Sequence, residues 1–203
     1  GAVSGVLSFL DGFLRDAPDE LDIVIDIGNG GLTTFAPYLS EPILNLAVSY
    51  CGDLLEGEKA LKPLRSFRQP LADRVRVMSY LEMQSLCDVH PLVDFSVAGG
   101  STVVEGGFVE RLENAAIDTI GKYLSDPPAL FWLNIEHYLH GAVCDLPPAQ
   151  TAFCLRRRGF NTRVFAGWRE PSQADACTSW VNRFAGELQR FSNNTMHVNY
   201  LTE

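Results

Sequence analysis

The sequence is poor in the features that mark several large protein classes. Its 203 residues carry five cysteines, an odd number with no CxxC pair. That spacing excludes a small disulfide scaffold and the paired-cysteine zinc modules, and predicts buried, reduced thiols. Cations are scarce too. Sixteen Lys and Arg face 25 Asp and Glu, for a net charge of -9. Nucleic acid is not an expected partner, because binding it requires cations that displace counterions. No apolar run approaches the roughly 20 residues of a membrane-spanning helix. No signal peptide is visible. The expectation is a cytoplasmic protein with no membrane contact. What remains is an ordinary globular composition, 46% hydrophobic and 20% charged. Its length suits a single domain over residues 1–203.

The clearest stretch is the C-terminal one. Asn161 to Trp168 alternates as a strand. Pro171 sits where a helix starts, since its fixed φ suits the first turn. Cys177, Trp180, Val181, Phe184, Ala185 and Leu188 then recur at three and four, the apolar stripe of a helix on a core. Ser192-Asn193-Asn194 breaks the pattern, and Thr195 to Leu201 reads as a return strand.

Earlier, Val6, Leu7, Leu10, Phe13 and Leu14 form a helical stripe that ends at Asp16-Ala17-Pro18. Leu21, Ile23, Ile25 and Ile27 alternate with Asp22, Val24 and Asp26, the signature of a half-buried strand. Gly28 to Gly31 opens no helix, so it reads as a hairpin turn and not as a dinucleotide loop. Ile43 to Cys51 is a second strand. Residues 57–67 are helical with Ala60, Leu61, Leu64 and Phe67 inward. Ala72 to Met78 reads as a strand, and Ser79 to Glu82 as a capping box opening a short helix.

A long loop is expected over 85–107, with a short strand from Ser101 to Glu105 between glycine pairs. Leu112, Ala116, Ile120 and Tyr123 stripe another helix. Ala129 to His137 is a strand, and Thr151 to Leu155 is extended. Adjacent strands outnumber strict strand–helix alternation. The fold class expected is therefore α+β, a single antiparallel β-sheet with helices packed on one face.

Several motifs resemble one family. Ala17-Pro18-Asp19-Glu20-Leu21 is similar to its "APDEL" strand entry. Ser49 to Asp53, Glu56-Gly57-Glu58 and Ala60 to Arg65 resemble its "CYxGDxxEGExxLxPLR" stretch. Met78 to Gln84 resembles its "MPYxxxQ" helix. Gly167 to Pro171, Trp180 and Val198-Asn199-Tyr200 resemble the end of its substrate domain. The family is that of the berberine-bridge-enzyme-like, FAD-linked oxidases of the vanillyl-alcohol-oxidase class. The resemblance covers nearly the whole chain, but only as the substrate-binding domain inserted in such enzymes. The flavin-binding half, with its Gly-rich loops, has no counterpart in these residues.

The resemblance implies an antiparallel sheet roofing a flavin ring. FAD would be supplied by a partner domain, with no cofactor or metal held by this chain alone. It implies Tyr200 as catalytic base on a "Y-x-N-Y" strand, with Glu136 or His137 as a further acid or base on the central strand. Strand parity puts His137 and Glu136 on opposite faces, and leaves open which one faces the pocket. Trp168, Asn199 and His197 are the expected substrate contacts. A small organic substrate, and a flavin domain or a second copy of the chain, are the partners implied.

Two departures stand out: Phe153-Cys154-Leu155-Arg156 lacks the family's His, and His197 replaces a Tyr. They motivate an alternative, a stand-alone cofactor-free cyclase or isomerase of secondary metabolism derived from that domain. His137-x-x-His140-x-x-x-Cys144 is read as non-metal, since no further Cys or His pair accompanies it. Arg156, Arg157, Arg158, Arg163 and Arg169 read as a solvated strand edge.

Overall fold

The computed structural model describes residues 1–29, 42–86 and 99–192. Within them the fold is α+β. Five strands form one antiparallel sheet: β1 (Leu21–Asn29), β2 (Pro42–Tyr50), β3 (Ser101–Val109), β4 (Leu130–Leu139) and β5 (Gly159–Trp168). Their spatial order is β2-β1-β4-β5-β3. The longer helices are α1 (Ala2–Arg15), α2 (Leu54–Phe67), α4 (Asn114–Leu124) and α5 (Ala174–Leu188), with a single short α3 (Tyr80–Ser85).

Binary patterning decides which face the helices cover. Leu21, Ile23, Ile25 and Ile27 of β1 are buried, as are Phe131, Leu133 and Ile135 of β4 and Phe160, Val164 and Ala166 of β5. They join Leu7, Leu10 and Leu14 of α1 and the α5 stripe in one core. Each such Leu, Ile or Phe contributes about 1.5–3 kcal/mol by leaving water. Phe184 of α5 is fully buried and stacks on Tyr123 of α4 with centroids 4.6 Å apart. The Tyr123 hydroxyl donates to Glu187 at 2.8 Å, which ties α4 to α5. The intervening positions of the strands look out of the other face, which α1, α2, α4 and α5 leave uncovered and which α3 touches at the β2 edge, where Ser49 Oγ donates to Met83 Sδ at 3.4 Å.

Local signals fix the ends. Asp53 caps α2, accepting from the Leu55 and Glu56 amides at 2.9 and 3.1 Å. Ser79 and Glu82 form the expected capping box on α3.

Five expectations need correction. The thiols are not all buried: Cys51 and Cys154 are exposed, Cys144 is half-buried, and Cys177 alone of the four described cysteines is buried. Residues 72–78 form no strand. They run exposed, with Arg65 bonding Asp73 and the Val75 carbonyl in place of a β-partner. Residues 151–155 are not a strand either. Arg156 gathers that loop by donating to the Phe153 and Val143 carbonyls and to Thr151. β3 does not stop before Gly106-Gly107 but pairs with β5 as far as Val109. Glycine is needed inside that strand, because a Cβ at Gly107 would lie 2.9 Å from Thr162 Oγ1. Finally, Arg163 lies on no sheet edge, since β5 is flanked by β4 and β3. The glycine turn beyond Asn29 and the strand expected at 195–201 lie outside the described residues.

Candidate functional site

The uncovered face of the sheet carries polar side chains in register across three strands. Asp26 of β1 stands opposite Asn134 of β4, which stands opposite Arg163 of β5. Glu136 stands opposite Asn161, and Trp132 opposite Phe165. Strand parity alone brings these residues together, because each lies one step from a core residue.

Their hydrogen bonds run without a break. Trp132 Nε1 and Asn134 Nδ2 both donate to Asp26 Oδ1 at 2.8 Å. Asn134 Oδ1 accepts from Arg163 Nε and Nη2 at 3.0 and 2.8 Å. Arg163 also forms an ion pair with Glu136 Oε1. Asn161 Nδ2 donates to the other Glu136 oxygen at 3.0 Å. The network fixes both amides: Asn134 turns its NH2 to a carboxylate and its oxygen to a guanidinium.

Glu136 is 9% exposed and Asn161 is fully buried. Burial pushes the Asp26 carboxyl above its ordinary range, against the opposing pull of Asn134, Trp132 and Arg163. Trp132 and Phe165 stack beside the network with centroids 5.7 Å apart. The arrangement is a charged, pre-positioned floor with an aromatic wall. It can orient a polar organic molecule and accept hydrogen bonds from it through Glu136.

His137 lies in different surroundings from Glu136. Glu136 pairs with Asn161 but Leu139 with Gly159, so β4 carries one extra residue at that point. Such a bulge re-aims the side chains beside it. The His137 ring stacks on His140 with centroids 4.3 Å apart and leans on Phe160 at 5.3 Å. Desolvation, with His140 and Arg158 adding to it, pushes the His137 pKa down to about 4. Trp168 falls on the helix-covered side, partly buried against the core, and is not brought to the Glu136 network. Tyr200, Asn199 and His197 lie outside the described residues.

Arg163, Asn134 and Asp26 escaped the sequence reading as site residues. The signal was available: Asn161-x-Arg163-x-Phe165 interleaves with Phe160, Thr162, Val164 and Ala166, all buried.

No family model matches the chain. In sequence it is similar to YgaK of Bacillus subtilis (strain 168), an uncharacterized FAD-linked oxidoreductase. The identity is 26% over 149 residues, covering 70% of this chain and 31% of that protein. In fold it matches the wild-type BBE-like 1 protein of Physcomitrella patens, with TM-score 0.75 and 14% identity. BBE-like #28 of Arabidopsis thaliana gives 0.73 and 16%. The 6-hydroxy-D-nicotine oxidase of Arthrobacter nicotinovorans gives 0.69 and 18%.

The chain resembles part of the berberine-bridge-like, FAD-linked oxidases. The match covers 98% of this chain and 43% of each of the two plant proteins. The chain therefore spans less than half the length of its berberine-bridge-like neighbours and about a third of YgaK. Within the described residues no helix is long and apolar enough to cross a membrane.

Proposed function

We propose that this chain forms the substrate side of the active site of an FAD-linked oxidoreductase. A small organic substrate lies on the open sheet face, against the Glu136–Arg163–Asn134–Asp26 network. That network carries the reading. It holds paired, pre-oriented polar groups on the sheet face opposite the main core, and the chain has the fold of part of several FAD-linked oxidases. A second observation supports a missing neighbour. Leu54, Leu55, Leu71, Val77, Tyr80 and Leu81 are each more than 60% exposed within 28 consecutive residues. Exposed apolar side chains concentrated in one stretch of the chain are what a neighbouring domain would cover.

Two of the described helix N-termini are closed to a flavin's pyrophosphate. The N-termini of α2 and α3 are filled by the side chains of Asp53 and Ser79, which leaves no ready cradle for a pyrophosphate there. On this reading the cofactor is held by a partner domain or by residues outside those described, and would supply a hydride acceptor; the chain's match to only 43% of its berberine-bridge-like neighbours supports it. On this chain Glu136 orients the substrate and receives hydrogen bonds from it. Tyr200 handles the substrate proton, a role that needs a nearby positive group to hold the phenolate. Cys51, Cys144, Cys154 and Cys177 are free thiols, which supports a cytoplasmic setting.

The test uses the protein from the full reading frame, with Glu136→Gln and Tyr200→Phe. Both variants should retain flavin but lose substrate-dependent flavin reduction, by at least about 100-fold for an acid–base group. Turnover unchanged in both would remove the reading. Conversion of substrate without flavin would point to the cyclase or isomerase alternative.

A further inference from the structure

A second cluster lies at the C-terminal end of β4, directly beside the Glu136 network: His137 follows Glu136 in the strand, and the Glu136 charge acts on Asp22. Asp22, His137 and His140 each offer one ligand atom, and these atoms all lie within 4.8 Å of one another. His137 and His140 are 6% and 7% exposed. Asp22 Oδ1, His137 Nδ1 and His140 Nδ1 are all buried, and none has a hydrogen-bond partner among the described residues. Three orphaned polar atoms in one place are expensive, since each forfeits its hydration with no replacement.

Local backbone geometry builds the cluster. The β4 bulge falls between Glu136 and Leu139, at His137, where it re-aims the side chain. Gly141 then adopts φ +55, which turns the chain and seats it on Asp19, three residues before Asp22. The His140 ring, just before this turn, stacks on His137 with centroids 4.3 Å apart.

We propose that Asp22, His137 and His140 bind a divalent transition-metal ion of the zinc type, with an open coordination position. Two imidazoles and one carboxylate are a donor set that suits such ions. Ligand atoms at about 2.0–2.1 Å around a tetrahedral ion lie roughly 3.3 Å apart. Small side-chain rotations from the observed spacing complete the site. Access exists as well. Both histidines line a cleft of about 210 Å³ whose walls include Asp11, Leu14, Arg111, Arg158 and Phe160. The cationic walls do not repel an ion unopposed: Asp11 bridges Arg15 and Arg111, and Arg158 lies 3.9 Å from Asp19. The open position faces this cleft, so water or a small anion is the remaining ligand. Cys144, suggested by sequence spacing, is not part of the cluster. The inference does not depend on the oxidoreductase reading.

The experiment is zinc titration of the chelator-dialysed protein by calorimetry, with metal counted by mass spectrometry. One ion per chain is expected. Outer-shell partners alone cost about 10–100-fold in affinity, so loss of a ligand should cost at least about 100-fold. Asp22→Asn and His140→Ala should both show that loss, while Cys144→Ser binds as the wild type does. Should His140→Ala fail to fold, the near-isosteric Asp22→Asn decides alone. Cobalt substitution gives an independent readout, in which visible bands without a thiolate charge-transfer band are expected. Sub-stoichiometric zinc, unchanged affinity in Asp22→Asn, or a thiolate band would each overturn the site.

Discussion

Replacing Arg163 by Met tests whether the open-face network is a buried electrostatic unit or a loose surface pair. Arg163→Met keeps the aliphatic stem and removes, among others, two bonds to Asn134 Oδ1 and the ion pair with Glu136. The Glu136 side chain is 11% exposed, so it cannot recover full hydration. Stranding one partner of a buried pair costs about 3–5 kcal/mol. Arg163 itself is 28% exposed, and solvent screening reduces the effect. The expected loss is about 2–4 kcal/mol. For a chain of this size that is a fall in Tm of roughly 5–12 °C.

The assay is urea unfolding followed by tryptophan fluorescence and circular dichroism, with the m-value checked for constancy. Glu136→Gln alone should cost less, since the amide oxygen still accepts from Arg163. The double variant should be more stable than the sum of the single losses predicts, with a coupling of about 1–3 kcal/mol. A loss under about 0.5 kcal/mol for Arg163→Met is the range of ordinary surface substitutions, and would refute the argument. So would additivity of the two substitutions.

Other perturbations separate the remaining parts of the structure. Burial raises the Asp26 carboxyl above its unfolded value, so its protonated form favours folding below about pH 3.9, and that benefit is lost as pH rises through the folded value. Asp26→Asn retains the oxygen that accepts both bonds. Its urea midpoint should exceed the wild type's at neutral pH, with the difference vanishing in acid. Phe184→Ala should cost about 3–5 kcal/mol, read by the same unfolding curve, because Phe184 joins α4, α5 and the sheet. Gly141→Ala should cost about 1–3 kcal/mol, because φ +55 is strained for alanine and its Cβ would meet Asp19 Cγ at 2.8 Å. In the metal titration the same variant should also bind zinc more weakly, since it displaces His140.

Period and capping carried most of the fold in the sequence. Alternation placed β1, β4 and β5, and three-four spacing placed α1, α4 and α5, because each element buries one face in a common core. The misses share a cause. Residues 72–78 and 151–155 have strand-like composition but pair with neither edge of the sheet; Arg65 holds Asp73 and the Val75 carbonyl, and Arg156 the Phe153 carbonyl, instead. Gly106-Gly107 looked like a break, yet Thr162 demands glycine there inside a strand.

At the site, Glu136 was visible as a central-strand carboxylate. Its partners were not, because Asp26, Asn134 and Arg163 are 108 and 29 residues apart in pairs and meet only through sheet register. The Asp22–His137–His140 cluster was hidden more deeply. One extra residue in β4 changes where His137 points, and no spacing rule in a single sequence reveals a bulge.

The most direct test of the flavin-linked reading is the visible spectrum of the protein expressed from the full reading frame, recorded with bound-cofactor mass before and after anaerobic addition of candidate reducing substrates. Flavin bands that bleach with substrate in the wild type, and persist unbleached in Glu136→Gln, are the predicted result. A colourless protein that ignores added FAD yet turns over an organic substrate would contradict it.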